Sequence, residues 1–400
     1  MNKKRMAIWI RLLATLLAIV PLTSCIGQWQ INDLALVTAV GLDVGQKPGT
    51  VLLSAQIIRP ADARGQTGAP SGGTGEPIYS ISAEGKTIFE AIRNLGRISS
   101  RRVYWAHNFL IVMNESYARR GIGDMIDFFT RNHELRMNTW VAVTPDSPDQ
   151  LISTITGLEI VPGEAINRLF RNNHIVGVAP RTNMMVLEES YLTQATHPVL
   201  AKLKLVRRGI SNKKPEEHGS IEQVELAGAA AFAEDRMAGW LTIKETRGLL
   251  FFLEQLDNGI EVVPCPNEKT GQATLEFRHA KLHVDPAYRN GKASFRIRLA
   301  TEADIVENGC QATEADIRQG TEAELTQELE SAITSVLVKA QREYKSDFLK
   351  LGDVFRNEYP LEWRTLKQSW DDVFAAAETT VEVKATIKSG VLKAAGMGVK

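Results

Sequence analysis

The pattern of apolar and polar positions divides the chain into two runs of strands and helices. Leu34 to Leu42 is almost continuously apolar and reads as a buried strand, with Val51 to Ile58 as its hairpin partner. Gly65, Gly68, Gly72, Gly73 and Gly75 follow; a phosphate-binding loop would lead straight into a helix, but this stretch ends at Pro77 and a strand, Ile78 to Ile81, so a surface loop is expected. Thr87 and Glu90 form a T-x-x-E capping box, and Ile88, Ala91, Ile92, Leu95 and Ile98 predict an amphipathic helix over 88–98. Phe109 to Met113 predicts a strand. Ile122, Met125, Ile126 and Phe129 mark a second helix, and Met137 to Val143 another strand. This alternation predicts an α+β (mixed α/β) fold with sheets covered by helices.

Glu164 to Arg171 predicts a short helix, Met184 to Thr193 fits either state, and Val199 to Val206 predicts a strand with Lys202 and Lys204 on its wet side. The polar run Gly209 to Gly219 marks a linker over 209–223. It separates an N-terminal module, residues 31–208 with a further split near 145, from a C-terminal domain, residues 224–400. The second module opens with a strand, Val224 to Phe232, and Thr242 with Glu245 caps a helix carrying Leu249, Leu250, Leu253 and Leu256. Ala273 to Val284 and Ala293 to Leu299 predict strands. Thr321 and Glu324 are expected to cap the longest helix, whose Leu325, Leu329, Ile333, Val336, Ala340 and Tyr344 keep one face for about 24 residues, roughly 36 Å. Val381, Val383, Ala385 and Ile387 alternate with charged residues as a half-buried strand.

The first 24 residues have a different pattern. Lys3, Lys4 and Arg5 precede an apolar run from Leu12 to Val20, roughly half the 20 or so residues that span a bilayer, which is the order of a cleavable signal peptide. Leu22-Thr23-Ser24-Cys25 resembles the bacterial lipobox. Cleavage between Ser24 and Cys25, with diacylglycerol and an acyl chain such as palmitate on Cys25, would leave residues 25–30 as a tether. Nothing later in the sequence looks like a second anchor.

Composition adds bounds. The 400 residues, 44% of them hydrophobic, suffice for two or three domains. Lys plus Arg and Asp plus Glu both number 47, but residues 1–24 hold four of the basic residues and no acidic one, so the processed chain carries 43 against 47, or −4. That argues against a nucleic-acid partner. With Cys25 lipidated, Cys265 and Cys310 remain; an oxidising exterior permits them to pair, yet two isolated cysteines satisfy no framework pattern, and the question stays open.

Candidate chemistry is sparse. His279 and His283 have the four-residue spacing of metal ligands on a helix, but they lie in a strand-like stretch without a zinc-protease pattern, and structural or surface histidines are expected. His107, between Trp105 and the run Phe109 to Met113, is expected to be a packed histidine at a strand start. Asp371-Asp372 and Asp124 with Asp127 are read as solvated helix-face carboxylates. Arg97, Arg101, Arg102, Arg119, Arg120, Arg131 and Arg136 fit either a surface for lipid headgroups or a partner, or solvated helix ends and ion pairs. No nucleophile elbow, Walker loop or C-x-x-C pair is present. No catalytic or metal residue is assigned, and a ligand-binding residue is not identifiable.

Longer motifs carry a resemblance. Trp29-Gln-Ile-Asn32-Asp33-Leu34-Ala35, Glu84-Gly85-Lys86-Thr87-Ile88-Phe89-Glu90-Ala91, His107 with Phe109 to Met113, and Ala118-Arg119-Arg120-Gly121-Ile122 with Arg131 resemble the Ger(x)C family, the C subunits of spore nutrient-germinant receptors. In the second half so do Gly228-Ala229-Ala230-Ala231-Phe232, Gly239-Trp240-Leu241, Glu245-Thr246-Arg247-Gly248, and Lys339-Ala340-Gln341 through Asp347-Phe348 to Trp363 and Trp370. The glycine-rich loop at 65 to 75 departs from the family pattern. The resemblance implies a multi-domain, three-domain mixed α/β lipoprotein on the extracytoplasmic face of the spore inner membrane. It would sit beside two integral-membrane partners, the A and B subunits, one of them similar to amino-acid permeases, with no enzymatic activity and no cofactor beyond the lipid on Cys25. The rival classes are an extracytoplasmic solute-binding lipoprotein of a transporter, which needs two similar lobes around a polar cleft, and an exported hydrolase, which needs converging catalytic groups.

Overall fold

The computed structural model describes residue 9 and residues 33–58, 78–207 and 222–390, apart from 133, 155, 157, 158, 160, 267 and 269. The expected signal peptide apart from residue 9, Cys25 and its 25–30 tether, the glycine-rich loop at 65 to 75 and nearly all of the 209–223 linker lie outside the described residues.

β1 (Leu34–Val44) and β2 (Val51–Ile58) form the expected hairpin, and β3 (Ile78–Gly85) extends it antiparallel. Beyond β3 the helix α1 (Ile88–Leu95) returns the chain to β4 (Arg102–Tyr104) and β5 (Leu110–Asn114), both parallel to β1. α2 (Glu115–Arg120) and α3 (Gly123–Arg131) then lead to β6 (Trp140–Thr144). α4 (Pro148–Ser153), α5 (Pro162–Val176) and α6 (Met184–Leu192) lead to β7 (Val199–Arg207), and β8 (Glu222–Ala233) and β9 (Arg236–Leu241) complete the sheet. Its nine strands run β3-β2-β1-β5-β6-β7-β8-β9, with β4 against the start of β1. Parallel neighbours require crossovers, which is why helices cover both faces. α1, α2, α3 and α6 bury Leu95, Tyr117, Phe129 and Leu187 on one face, while α4 and α5 bury Ile152 and Phe170 on the other. β1 sits between these layers, which explains its nearly unbroken apolar run. Buried Gln56 fastens the second layer: its Oε1 accepts from Thr38 Oγ1 at 2.6 Å and from the Gly163 amide at 3.1 Å, and its Nε2 donates to the Ile152 carbonyl.

The 209–223 segment joins β7 to β8, which pair antiparallel from Val199 with Ala231 to Arg207 with Glu222, so the first sheet continues to Leu241 and the change of sheet falls there. After α7 (Ile243–Phe252) come β10 (Gly259–Pro264), β11 (Gln272–Arg289) and β12 (Lys292–Asn308). α8 (Glu314–Val338), α9 (Leu351–Glu358), α10 (Pro360–Leu366) and α11 (Trp370–Ala376) follow, and β13 (Glu378–Gly390) returns parallel to β12. The second sheet is four-stranded, β10-β11-β12-β13. Its core is shared with the first: Val199, Ala229, Ala231 and Leu241 join the cluster containing Phe277, Phe295, Leu329 and Ile333.

Several boundaries differ from expectation. α1 ends at Leu95, capped by Gly96, so Ile98 lies outside it and is 57% exposed. The longest helix begins at Glu314, not near Thr321: Thr313 is the N-cap, its Oγ1 accepting from the Asp316 amide at 3.2 Å. Thr321 is buried mid-helix, where its hydroxyl donates to the Ile317 carbonyl at 2.7 Å, a bond open to any helical threonine that reproduces the T-x-x-E pattern away from a terminus. β11 and β12 are longer than predicted. Their turn uses Asn290 (φ 53°) and Gly291 (φ 77°), the residues a two-residue hairpin requires. Pro286 does not end β11, because β10 pairs only with Gln272 to Phe277 and leaves an open edge where proline is tolerated.

Candidate functional site

The two sheets meet where the loop before β7 packs against the segment after α8. α8 continues as a π-helical turn, Lys339–Tyr344, and Lys345 ends it with φ 47°. This turns residues 346–349 back into the interior. Gln341 Nε2 donates to the carbonyls of Phe374 at 2.8 Å and Ala377 at 3.0 Å, tying α8 to α11. Tyr344 Oη donates to the Trp240 carbonyl at 2.9 Å and Ser346 Oγ to the Phe232 carbonyl at 2.5 Å, tying both to the β8–β9 hairpin. A side chain at Gly239 would overlap the Tyr344 hydroxyl, so only glycine fits there.

Asp347 is the centre of this junction and has no solvent exposure. Its Oδ1 accepts from the Leu349 and Leu351 amides at 3.1 and 3.2 Å, and its Oδ2 accepts from the Gly352 amide at 2.6 Å and from Trp370 Nε1 at 3.0 Å. Burial disfavours the charge and pushes its carboxyl up to about 6, although the Trp370 indole and the amides work the other way. Trp370 packs against Trp363 and Phe355, each with ring centroids 5.1 Å away. The Asp347 carbonyl accepts from the His197 amide and from Thr196 Oγ1, both at 2.8 Å.

His197 extends the junction to the surface. Its Nδ1 accepts from the Glu234 amide at 3.0 Å, so Nε2 carries the proton and donates to Asp371 Oδ1 at 2.8 Å. One ring thereby joins the loop before β7, the β8–β9 turn and α11. Beside it opens a polar cleft of about 500 Å³ lined by Tyr191, Thr193, His197, Glu234, Lys367 and Asp371. With both ring nitrogens engaged, His197 has none left for a nucleophile, and the pair works as a clasp between elements.

The residues singled out in the sequence do not converge here, Asp371 excepted. Asp371 is therefore more than a solvated carboxylate, and Asp124 accepts from buried Tyr117 Oη at 2.8 Å. Asp127 pairs with Arg131 at 2.6 Å. His107 is exposed in a turn, not packed, with its ring 6.4 Å from Tyr104. His279 occupies a bulge with φ 55°, and His283 lies on the exposed side of β11, 3.0 Å from Asp285. No group of three or more metal-ligating side chains occurs among the described residues. Cys265 and Cys310 are disulfide-bonded, with Cα atoms 5.4 Å apart. His197 and Glu234 were not legible as functional, because one contributes a ring and the other a backbone amide from separate parts of the chain. Gly239, Gln341, Asp347, Trp363 and Trp370, by contrast, all belong to the motifs that carried the resemblance, and all meet at this junction.

Comparison with known proteins agrees along the chain. Residues 27–205 match the family described as Spore germination protein N-terminal domain, and residues 227–390 match Spore germination B3/ GerAC like, C-terminal. Spore germination protein KC of Bacillus subtilis (strain 168) is 25% identical over 382 residues, covering 92% of each chain. The putative spore germination protein YfkR of the same organism is 25% identical, covering 94% of this chain and 95% of its own. The crystal structure of the GerBC protein shares the fold with a TM-score of 0.55 at 18% identity, covering 88% of this chain and 98% of that one. The chain belongs to the Ger(x)C family of spore germination proteins.

Proposed function

We propose that this protein is the lipid-anchored subunit of a spore nutrient-germinant receptor. It is cleaved between Ser24 and Cys25, held by diacylglycerol on Cys25 at the outer face of the spore inner membrane, and bound there to the two integral-membrane A and B subunits. The observation that carries the reading is the family match from residue 27 to 390 to proteins named for spore germination, immediately behind the lipobox-like Leu22-Thr23-Ser24-Cys25. No described helix is long and apolar enough to cross a membrane. Its role would be to bind and position the other subunits, without making or breaking a bond. The interlocked junction around Asp347, which ties the two sheets to each other, supports this reading.

A solute-binding lipoprotein is disfavoured because the two sheets are unlike: among the described residues, nine mixed strands against four, where paired lobes would repeat one plan. Deleting the gene in its spore former is expected to abolish the response to one class of nutrient and leave germination by a receptor-independent trigger unchanged. Cys25→Ala is expected to reproduce the deletion and to take up no fatty-acid label, because stable attachment needs more than one acyl chain. Cys25→Ala protein that still carried the label, or deletion spores with every nutrient response intact, would refute the proposal.

A further inference from the structure

The arginines noted in the sequence separate in space. Arg119 pairs with Glu115 at 2.7 Å, and Arg120 donates to the Thr50 carbonyl at 3.2 Å, beside the carboxyl end of β1. The others gather around its amino end. Leu34 pairs with Arg102, so the chain reaches the first sheet beside the 96–101 loop, which carries Arg97, Ile98 and Arg101. Arg102 is joined to Glu134 at 2.6 Å, which brings the segment holding Arg131 and Arg136 to the same end. Asp127 takes Arg131 and Glu134 takes Arg102. Among the described residues no carboxylate lies within ion-pair reach of Arg97, Arg101 or Arg136, all exposed, while Arg93 stands 4.8 Å from the Phe89 ring centroid. Phe89 and Ile98 are 52% and 57% exposed. This end is therefore both basic and apolar, on a processed chain whose net charge is −4.

We propose that this end, centred on Arg97, Ile98, Arg101 and Arg136, rests on the anionic headgroups of the membrane that holds Cys25, with Ile98 reaching toward the acyl boundary. The proposal rests on the anchor reading. Eight peptide steps separate Cys25 from Asp33, at most about 29 Å of chain. None of residues 26–32 is charged, so the tether itself offers nothing for an anionic surface to hold. The lipid thus confines the protein within reach of the bilayer, and the end nearest the tether has the complementary charge. Each cationic side chain at such a surface is worth roughly a five-fold gain in engagement, so the three arginines without a carboxylate partner together favour the docked orientation by roughly 100-fold.

The test uses the lipidated full-length protein carrying Ile98→Cys or Val44→Cys. Cys25 is acylated and Cys265 is bonded to Cys310, so the new thiol is the site that takes a fluorophore. Val44 ends β1, about 33 Å along the strand from Leu34, and is a partly exposed control. The protein is floated with vesicles of phosphatidylcholine alone or with phosphatidylglycerol, each containing nitroxide-labelled lipid. Flotation reads the anchor; quenching reads the patch. The Ile98 probe is expected to be quenched on anionic vesicles and the Val44 probe spared, and Arg97→Gln with Arg101→Gln and Arg136→Gln is expected to remove that quenching without loss of flotation. An unquenched Ile98 probe on floating protein would overturn the patch alone and leave an acidic protein surface as its occupant. Wild type that fails to float would overturn the anchor and this proposal with it.

Discussion

Asp347→Ala is expected to destabilise the folded chain by about 4 kcal/mol, because it leaves four buried N–H donors facing a cavity. The Leu349, Leu351 and Gly352 amides and the Trp370 indole all converge on this one carboxylate. Asp347→Asn keeps the volume but turns two hydrogens toward donors, so it too is expected to destabilise, and it isolates the effect of titration. Folding raises the Asp347 pKa from 3.8 to about 6, so the native state binds the proton more tightly than the unfolded chain. The stabilisation that protonated Asp347 contributes is complete below about pH 4 and is lost as pH rises through 6, amounting to about 3 kcal/mol. Other carboxylates act in the opposite sense, so the comparison that matters is between variants. Denaturant unfolding at pH 4, 5.5 and 7 is expected to show the wild-type advantage over Asp347→Asn shrinking as pH rises; a constant difference would show that Asp347 does not titrate in that window.

Loss of the Cys265–Cys310 disulfide is expected to cost a similar amount. The bond closes a loop of 45 residues that contains β11 and β12, and the chain-entropy relation gives about 4 kcal/mol for a loop of that length. Both cysteines are buried, at the end of β10 and just before α8, so the bond also fixes the start of the longest helix relative to the second sheet. The double variant Cys265→Ala, Cys310→Ala and the reduced wild type are expected to unfold at the same, lower denaturant concentration. If reduction left the wild-type midpoint unchanged, the bond would be without thermodynamic weight.

Local chemistry was legible in the sequence where one segment determined it. The hairpin of β1 and β2, the Thr87 and Thr242 caps and the apolar stripe from Leu325 to Ala340 each follow from spacing alone, and each is present. The misreadings arise where another segment intervenes. Thr321 mimics a cap because its hydroxyl satisfies a carbonyl inside the helix. The predicted strand stops at Val284, short of Pro286 and Arg289, because nothing local reveals that β11 has an open edge there. The polar stretch at 209–223 falls between the two family matches, 27–205 and 227–390, while the pairing of the strands on either side of it was not legible, because pairing is a property of both flanks together. The same reason hid His197: a histidine flanked by Thr196 and Pro198 has no local signature, and its role comes from Glu234 and Asp371, 37 and 174 residues away. The disulfide was undecidable for want of a distance, which only the fold supplies.

The junction gives the family motifs of the second half a physical meaning. Gly239 admits Tyr344, Gln341 joins α8 to α11, and Asp347 collects donors from Leu349, from the first turn of α9 and from Trp370. Gly239 with Tyr344, Gln341 with Phe374 and Asp347 with Trp370 are contacts between separate segments, so these motif residues share one interior. The proposed role in assembly draws on this shared interior as well as on the family match.

The most direct test of that role is to purify the lipidated protein, carrying a carboxyl-terminal tag, from detergent-solubilised inner membranes of dormant spores and identify what elutes with it. Two integral-membrane proteins, one similar to amino-acid permeases, are expected in stoichiometric amounts. Recovery of the protein alone, or with the permease and ATPase of a transporter, would contradict the assignment.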